Sequence, residues 1–366
     1  MVMRAEAQSA AAPELGIRLN GRPSVEGDSM KLKFWGTRGS LPTPGPETAK
    51  FGGNTTCLQV VRDEGPIIVL DSGTGIRELA QSLMGNPGPP FDIKLLITHT
   101  HWDHIHGFPF FVPIYIPGGN IDVYGVGPIH QGISFEKVMR DQMTYSYFPV
   151  ENTMIDGVVH YHDFHEMFAN RPSGVEGDFE LTPGVNLKLK LMNHPVYTIG
   201  YRLEADGQSV IFTGDHEPYI DQFATNGPPP ASDEDQDDFG FMEDAEETSE
   251  FVDLMNERFI QWCTGADLLV IDTTYTKDEY FSYDKPHMSK KNWGHGYFEY
   301  SYEVALKAGV KKLAFTHHDP TRKDEDLIAL EKKWREIAAK DGNKVEVFCA
   351  REGMEVDLGA PISLPV

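Results

Sequence analysis

The stretch "LLITHTHWDHIHG", Leu95 to Gly107, sets four histidines and an aspartate directly behind an apolar run. Such a run reads as a buried strand, and titratable groups at its end are costly beside a core unless they bind something. His99, His101, Asp103 and His104 spell H-x-H-x-D-H, so a loop leaving a rigid strand can turn all four side chains into one cavity. Imidazole nitrogen with carboxylate oxygen suits zinc, iron or manganese, whereas calcium takes oxygen alone. A catalytic zinc uses three protein ligands and keeps a position for water, so four ligands in one loop, with more from elsewhere, point to two ions. The further candidates also follow apolar runs: His194 after "VNLKLKLMN", Asp215 after "SVIFTG" and His317 after "KKLAFT".

The rest of the chain alternates strand-like runs with Gly/Pro-rich connections. Strands are expected at 31–36, 55–61, 66–73, 91–98, 120–126, 185–192, 198–204, 209–215, 267–275, 312–318 and, as one long run, 345–358. Helices are expected at 134–143, 247–265, 296–310 and 323–342; in the last, Leu327, Leu330, Trp334 and Ile337 recur at helical spacing and Gly342 ends it. Many strands with interspersed amphipathic helices imply sheet packed on sheet with helices outside.

Bulk properties narrow the function. Thirty-two basic against fifty-six acidic residues give a net charge of −24 over 366 residues, which repels phosphate backbones, so bulk nucleic-acid binding is not expected. Cys57, Cys263 and Cys349 are far apart without CxxC spacing, which suggests neither disulfides nor a thiolate metal site and fits the reduced thiols of a cytoplasmic protein. No apolar run is long enough to span a bilayer, so no membrane association is expected. Residues 1–29 lack the features of a secretory signal and read as an unpacked tail, with one domain over 30–366. The acidic, proline-containing segment 226–247, within an insertion at about 220–250, reads as a solvated excursion from that domain.

"THTHWDH", "NHP" with "GYRLE" after it, "FTGD", "WGH" and "THHDP", in this order, resemble the metallo-β-lactamase-fold hydrolases. Within them, "FWGTRGSLPTPG" followed by "GGNTTCLQV" is similar to the branch containing ribonuclease Z and the cyclic-phosphate phosphodiesterases. The resemblance implies an α/β fold, an αββα sandwich of two packed mixed β-sheets flanked by helices. It also implies two divalent ions, zinc first with manganese or iron(II) as alternatives. His99, His101 and His194 would hold one, Asp103, His104 and His317 the other, and Asp215 would bridge both. His318 competes with His317 for the last position; His317 matches the family's "TH" after the strand, leaving His318 to support it. Asp103 would also orient the nucleophile, and His295 in "WGH" is the candidate general acid. Asp71 in "VLDSGTG" would fix an imidazole from behind, with Asn54 and His216 as further candidates near the site. His106 falls outside the family's pattern and reads as a loop histidine, and Tyr145, Tyr147 and Phe148 read as packing residues. Gly296 stands where many relatives carry a small hydroxyl residue.

Three functions compete on these residues. The first is a phosphodiesterase acting on a small or cyclic nucleotide-like diester through metal-activated hydroxide. The second is a ribonuclease Z-like nuclease, for which the sequence offers no evident basic arm. The third is a lactonase or other carboxylic ester hydrolase. The expected partner is a small phosphodiester substrate, and a homodimer is left open.

Overall fold

The computed structural model of the protein describes residues 29–172, 174–220, 242–342 and 344–363. The strands are β1 (Lys31–Gly36), β2 (Cys57–Val61), β3 (Ile67–Leu70), β4 (Asp92–Leu96), β5 (Asn120–Gly125), β6 (Val159–Asp163), β7 (Gly177–Thr182), β8 (Val185–Leu191), β9 (Ile199–Ala205), β10 (Gln208–Phe212), β11 (Leu268–Asp272), β12 (Lys312–Thr316), β13 (Glu346–Cys349) and β14 (Glu355–Asp357). They pair as two seven-stranded sheets, in the orders β14-β1-β2-β3-β4-β5-β6 and β13-β12-β11-β10-β9-β8-β7. Both sheets are mixed: β3 to β6 are parallel neighbours, as are β10 to β13, and the remaining pairs are antiparallel.

Side-chain alternation builds the layers. In β1 every second residue is buried, so Leu32 and Phe34 face inward. They join Leu58, Val60, Leu70 and Leu96 of the first sheet and Leu187, Leu203, Phe212, Val270 and Phe348 of the second in a core between the sheets. Parallel strands need both faces covered, and β11 and β12 are accordingly buried at every residue. The outer face of the second sheet carries α5 (Met242–Cys263), α7 (Phe298–Ala308) and α8 (Asp324–Lys340), through Phe259, Phe298, Val304, Leu327 and Trp334. The outer face of the first is covered by α1 (Ile76–Gly85) and α3 (Phe135–Asp141), through Leu79, Leu83, Phe135 and Met139. Three short helices, α2 (Trp102–Ile105), α4 (Phe164–Met167) and α6 (Lys277–Phe281), lie in connections. The result is the αββα sandwich of the metallo-β-lactamase fold.

Two sequence expectations change. The run 345–358 is two strands: β13 extends the second sheet, the chain turns at Gly353 with φ +79°, and β14 pairs with β1 at the edge of the first. The helix expected from 247 is already formed at Met242, so the end of the acidic segment is helical rather than an excursion; the segment before it, to residue 241, lies outside the described residues, as do residues 1–28 of the expected tail. Among the described residues no helix is long and apolar enough to cross a membrane.

Candidate metal centre

The ends of parallel strands lie along one edge, and the chain leaves several of them by a sharp turn. Asp71 after β3, Gly214 after β10 and His317 after β12 have φ of +60°, +60° and +59°. Such left-handed residues reverse direction at once, which drops the adjoining side chains over the edge of the core instead of continuing the strand. A Cβ at Gly214 would press on the Thr98 side chain, so glycine is required there on space as well as on φ.

Asp215 stands at the centre. Its Oδ1 lies 3.1 Å from both His104 Nε2 and His317 Nε2, and its Oδ2 lies 3.6 Å from His99 Nε2 and 3.9 Å from His194 Nε2. His101 completes the second group with Nδ1 3.1 Å from His194 Nε2. Asp103 completes the first, its Oδ2 lying 3.3 Å from His104 and 3.2 Å from His317. Each group offers ligand atoms that all lie within 4.8 Å of one another. One carboxylate thus divides its oxygens between two donor sets.

The outer nitrogens explain why the inner ones converge. His104 Nδ1 is 2.7 Å from Asp71, which also accepts from the Thr98 backbone N–H at 2.7 Å and hydroxyl at 2.9 Å. His194 Nδ1 donates to the Gly294 carbonyl at 2.9 Å, and His317 Nδ1 lies 3.0 Å from the Thr274 hydroxyl, which donates to Asp272. With those nitrogens engaged, the inner ones are left facing a carboxylate; His99 Nε2, His104 Nε2 and Asp215 Oδ1 are buried with no hydrogen-bond partner. Orphaned buried polar atoms of this kind call for an occupant, and imidazole with carboxylate is a donor set for a divalent transition ion. The residues fit metal.

Titration behaviour points the same way. Burial works against ionised Asp103, but the flanking histidines hold its carboxyl far below the usual range. Burial likewise opposes charge on His317, yet Asp215 and Asp272 push it up to about 9. Desolvation draws His194 down to about 4. The carboxylates therefore gather protons onto His104 and His317, supplying there the positive charge a cation would bring, and cation binding must release them, whereas burial keeps His99 and His194 neutral.

His295 sits at the rim with Nδ1 2.9 Å from Asp272 Oδ2 and its ring stacked on His317 at 4.7 Å. Burial lowers its pKa, but the Asp272 carboxylate outweighs this and holds it above the ordinary value. Asp272 was not singled out from sequence, although it ends "LLVID" in the same manner as the other strand-end residues. Two more positioning groups also went unread. The Ser40 backbone N–H donates to Asp103 Oδ2 at 2.7 Å. Glu217 accepts from Tyr280 at 2.5 Å and from the N–H groups of Asn292 and Gly294 at 2.6 and 2.8 Å, fixing the loop that leads into His295.

Three tentative residues lie elsewhere. His318 donates to the Ala350 carbonyl at 2.9 Å and packs edge-on against Phe51, away from the ligand groups. His216 points its ring at Phe259 and Tyr300; its backbone N–H, not its side chain, reaches Asp272 at 3.2 Å. Asn54 binds Glu352 through side chain and backbone and so anchors a loop. His106 is exposed, as are Tyr145 and Tyr147, while Phe148 packs on Phe110. A Cβ at Gly296 would crowd the Asp272 carbonyl, so the backbone there leaves no room for a side chain.

The β-lactamase superfamily domain matches residues 67–228. Ribonuclease Z of Kineococcus radiotolerans is 22% identical over 342 residues, covering 88% of this chain and 93% of that protein. Among solved structures, the metallo-β-lactamase-fold protein YhfI from Bacillus subtilis matches with a TM-score of 0.56 at 17% identity, covering 90% of this chain and 100% of that one. A diphosphatase from the PhnP family matches with a TM-score of 0.53 at 16% identity, covering 90% of this chain and 97% of that one. Two mixed sheets with helices outside, the superfamily domain on the segment that carries most of the ligands, and hydrolases among its relatives make this chain a metallo-β-lactamase-fold hydrolase.

Proposed function

We propose that the chain is a dinuclear phosphodiesterase acting on small or cyclic nucleotide-like diesters. His99, His101 and His194 would hold one divalent cation and Asp103, His104 and His317 the other, with Asp215 between them and zinc as the first choice. Bound there, the pair would supply Lewis acidity, making hydroxide available near neutral pH and offsetting charge on the phosphoryl oxygens.

The observation that carries the phosphodiester reading is the His295–Asp272 pair. Asp272 holds the Nδ1 proton of His295, so Nε2 is the nitrogen left to hand a proton to the departing oxygen as the P–O ester bond breaks. The same carboxylate steadies the imidazolium before transfer, and the stacked His317 ring fixes its orientation. A departing alkoxide needs this proton far more than a p-nitrophenolate does. Ser40 and Thr274 keep Asp103 and His317 in place during the reaction.

His295→Ala should therefore lower kcat by about 10²-fold or more on a diester with an alkyl leaving group, and by far less on bis(p-nitrophenyl) phosphate. Equal losses on both would reject the proton-donor role. A ribonuclease Z-like activity is the second reading, favoured by the relative named for it over 88% of the chain. Preferred cleavage of a tRNA precursor over mononucleotide diesters in the same assay would select it.

A further inference from the structure

The chain has five tryptophans, and two are more than half exposed: Trp102 at 79% and Trp293 at 56%. Indole is a large apolar side chain to leave in water, and both tryptophans are chain neighbours of residues that build the candidate metal centre. Trp102 lies between His101 and Asp103 in the chain. Trp293 lies between Asn292 and Gly294, both held by Glu217, and the Gly294 carbonyl receives the Nδ1 proton of His194. The backbone that presents Trp293 is therefore pinned on both sides while its side chain is open. Lys290 sets its ammonium 4.0 Å from the centre of the indole. Residues 285–293, "KPHMSKKNW", contain no acidic residue in a chain of net charge −24, so this segment is a local exception that suits an anion.

We propose, resting on the phosphodiesterase reading, that Trp293 with Lys290 is a specificity-determining wall that receives the nucleobase of the substrate. A flat base stacks on the exposed indole, and the lysine adds attraction for substrate phosphate. Stacking tolerates any base, because every base has a π-face, so the wall selects nucleotides over alkyl diesters and discriminates little among bases.

The test uses the metal-loaded full chain and two substrates with the same leaving group, thymidine 5′-(p-nitrophenyl phosphate) and methyl p-nitrophenyl phosphate. In Trp293→Ala the ratio of kcat/KM between them should fall about tenfold, mainly through KM for the thymidine ester, and Trp293→Phe should recover most of it. Calorimetry with thymidine 5′-monophosphate and with ribose 5-phosphate gives an independent measure: the variant should lose affinity for the first and keep it for the second. An unchanged ratio, or equal weakening toward both monophosphates, would overturn the wall. If the wild type hydrolyses neither ester, the phosphodiesterase reading fails, and the calorimetric comparison still decides whether Trp293 holds a base.

Discussion

A single carboxylate shows how much of the centre depends on groups that would never touch an ion. Asp71 accepts three hydrogen bonds, from the Thr98 amide, the Thr98 hydroxyl and His104 Nδ1, and is completely buried. It sets both the tautomer and the tilt of His104. Asp71→Asn keeps the shape but loses an acceptor, and should weaken metal affinity by about 10–100-fold as read by chelator competition. The histidine loop stood out because several ligand types recur at fixed spacing, whereas Asp71 was read only from the family resemblance. Asp272, Thr274 and Glu217 did not stand out, since one polar residue after a strand looks the same whether it turns the chain or aims a histidine. His216 and His318 misled for a geometric reason: where the chain turns sharply, as at Gly214 and His317, neighbouring side chains leave in different directions. Each adjoins a ligand residue in sequence, and each faces a core of aromatic rings instead.

At the level of elements, the loop from α6 to α7 positions His194 and His295 together. Gly294 has φ +85°, and a Cβ there would fall on the His194 ring and Pro195. Gly294→Ala should displace His194 and lower metal stoichiometry from two ions toward one, measured by elemental analysis after gel filtration; two tightly held ions would count against that placement of His194. Most strands and the long helices were readable from periodicity, α8 included. β6 and β7 were missed because only Val159 and Leu181 in them are fully buried, so "VHYHD" and "GDFELT" carry little apolar signal. β13 and β14 read as one strand because a local pattern says nothing about which sheet each half joins.

Across the whole molecule, burial of neutral imidazole links stability to acid. Desolvation lowers His216 from its ordinary 6.5 to about 3. Between those values the unfolded chain binds the extra proton, so the contribution is complete above pH 6.5 and is lost as pH falls through the window. The slope is about 1.4 kcal/mol per pH unit, or about 2 kcal/mol between pH 6.5 and 5. In chelated protein His216→Gln should flatten the urea-derived stability profile by about that amount, and parallel profiles would show that the ring is not the group responsible. The division of ligands between the layers has a further effect. His99, His101, Asp103 and His104 leave the first sheet, while His194, Asp215 and His317 leave the second. A cation seated among them works as a rivet through both plates: neither layer alone retains a complete grip, so losing the ion and prying the sandwich apart become coupled events, and scavenging metal from solution loosens the entire body.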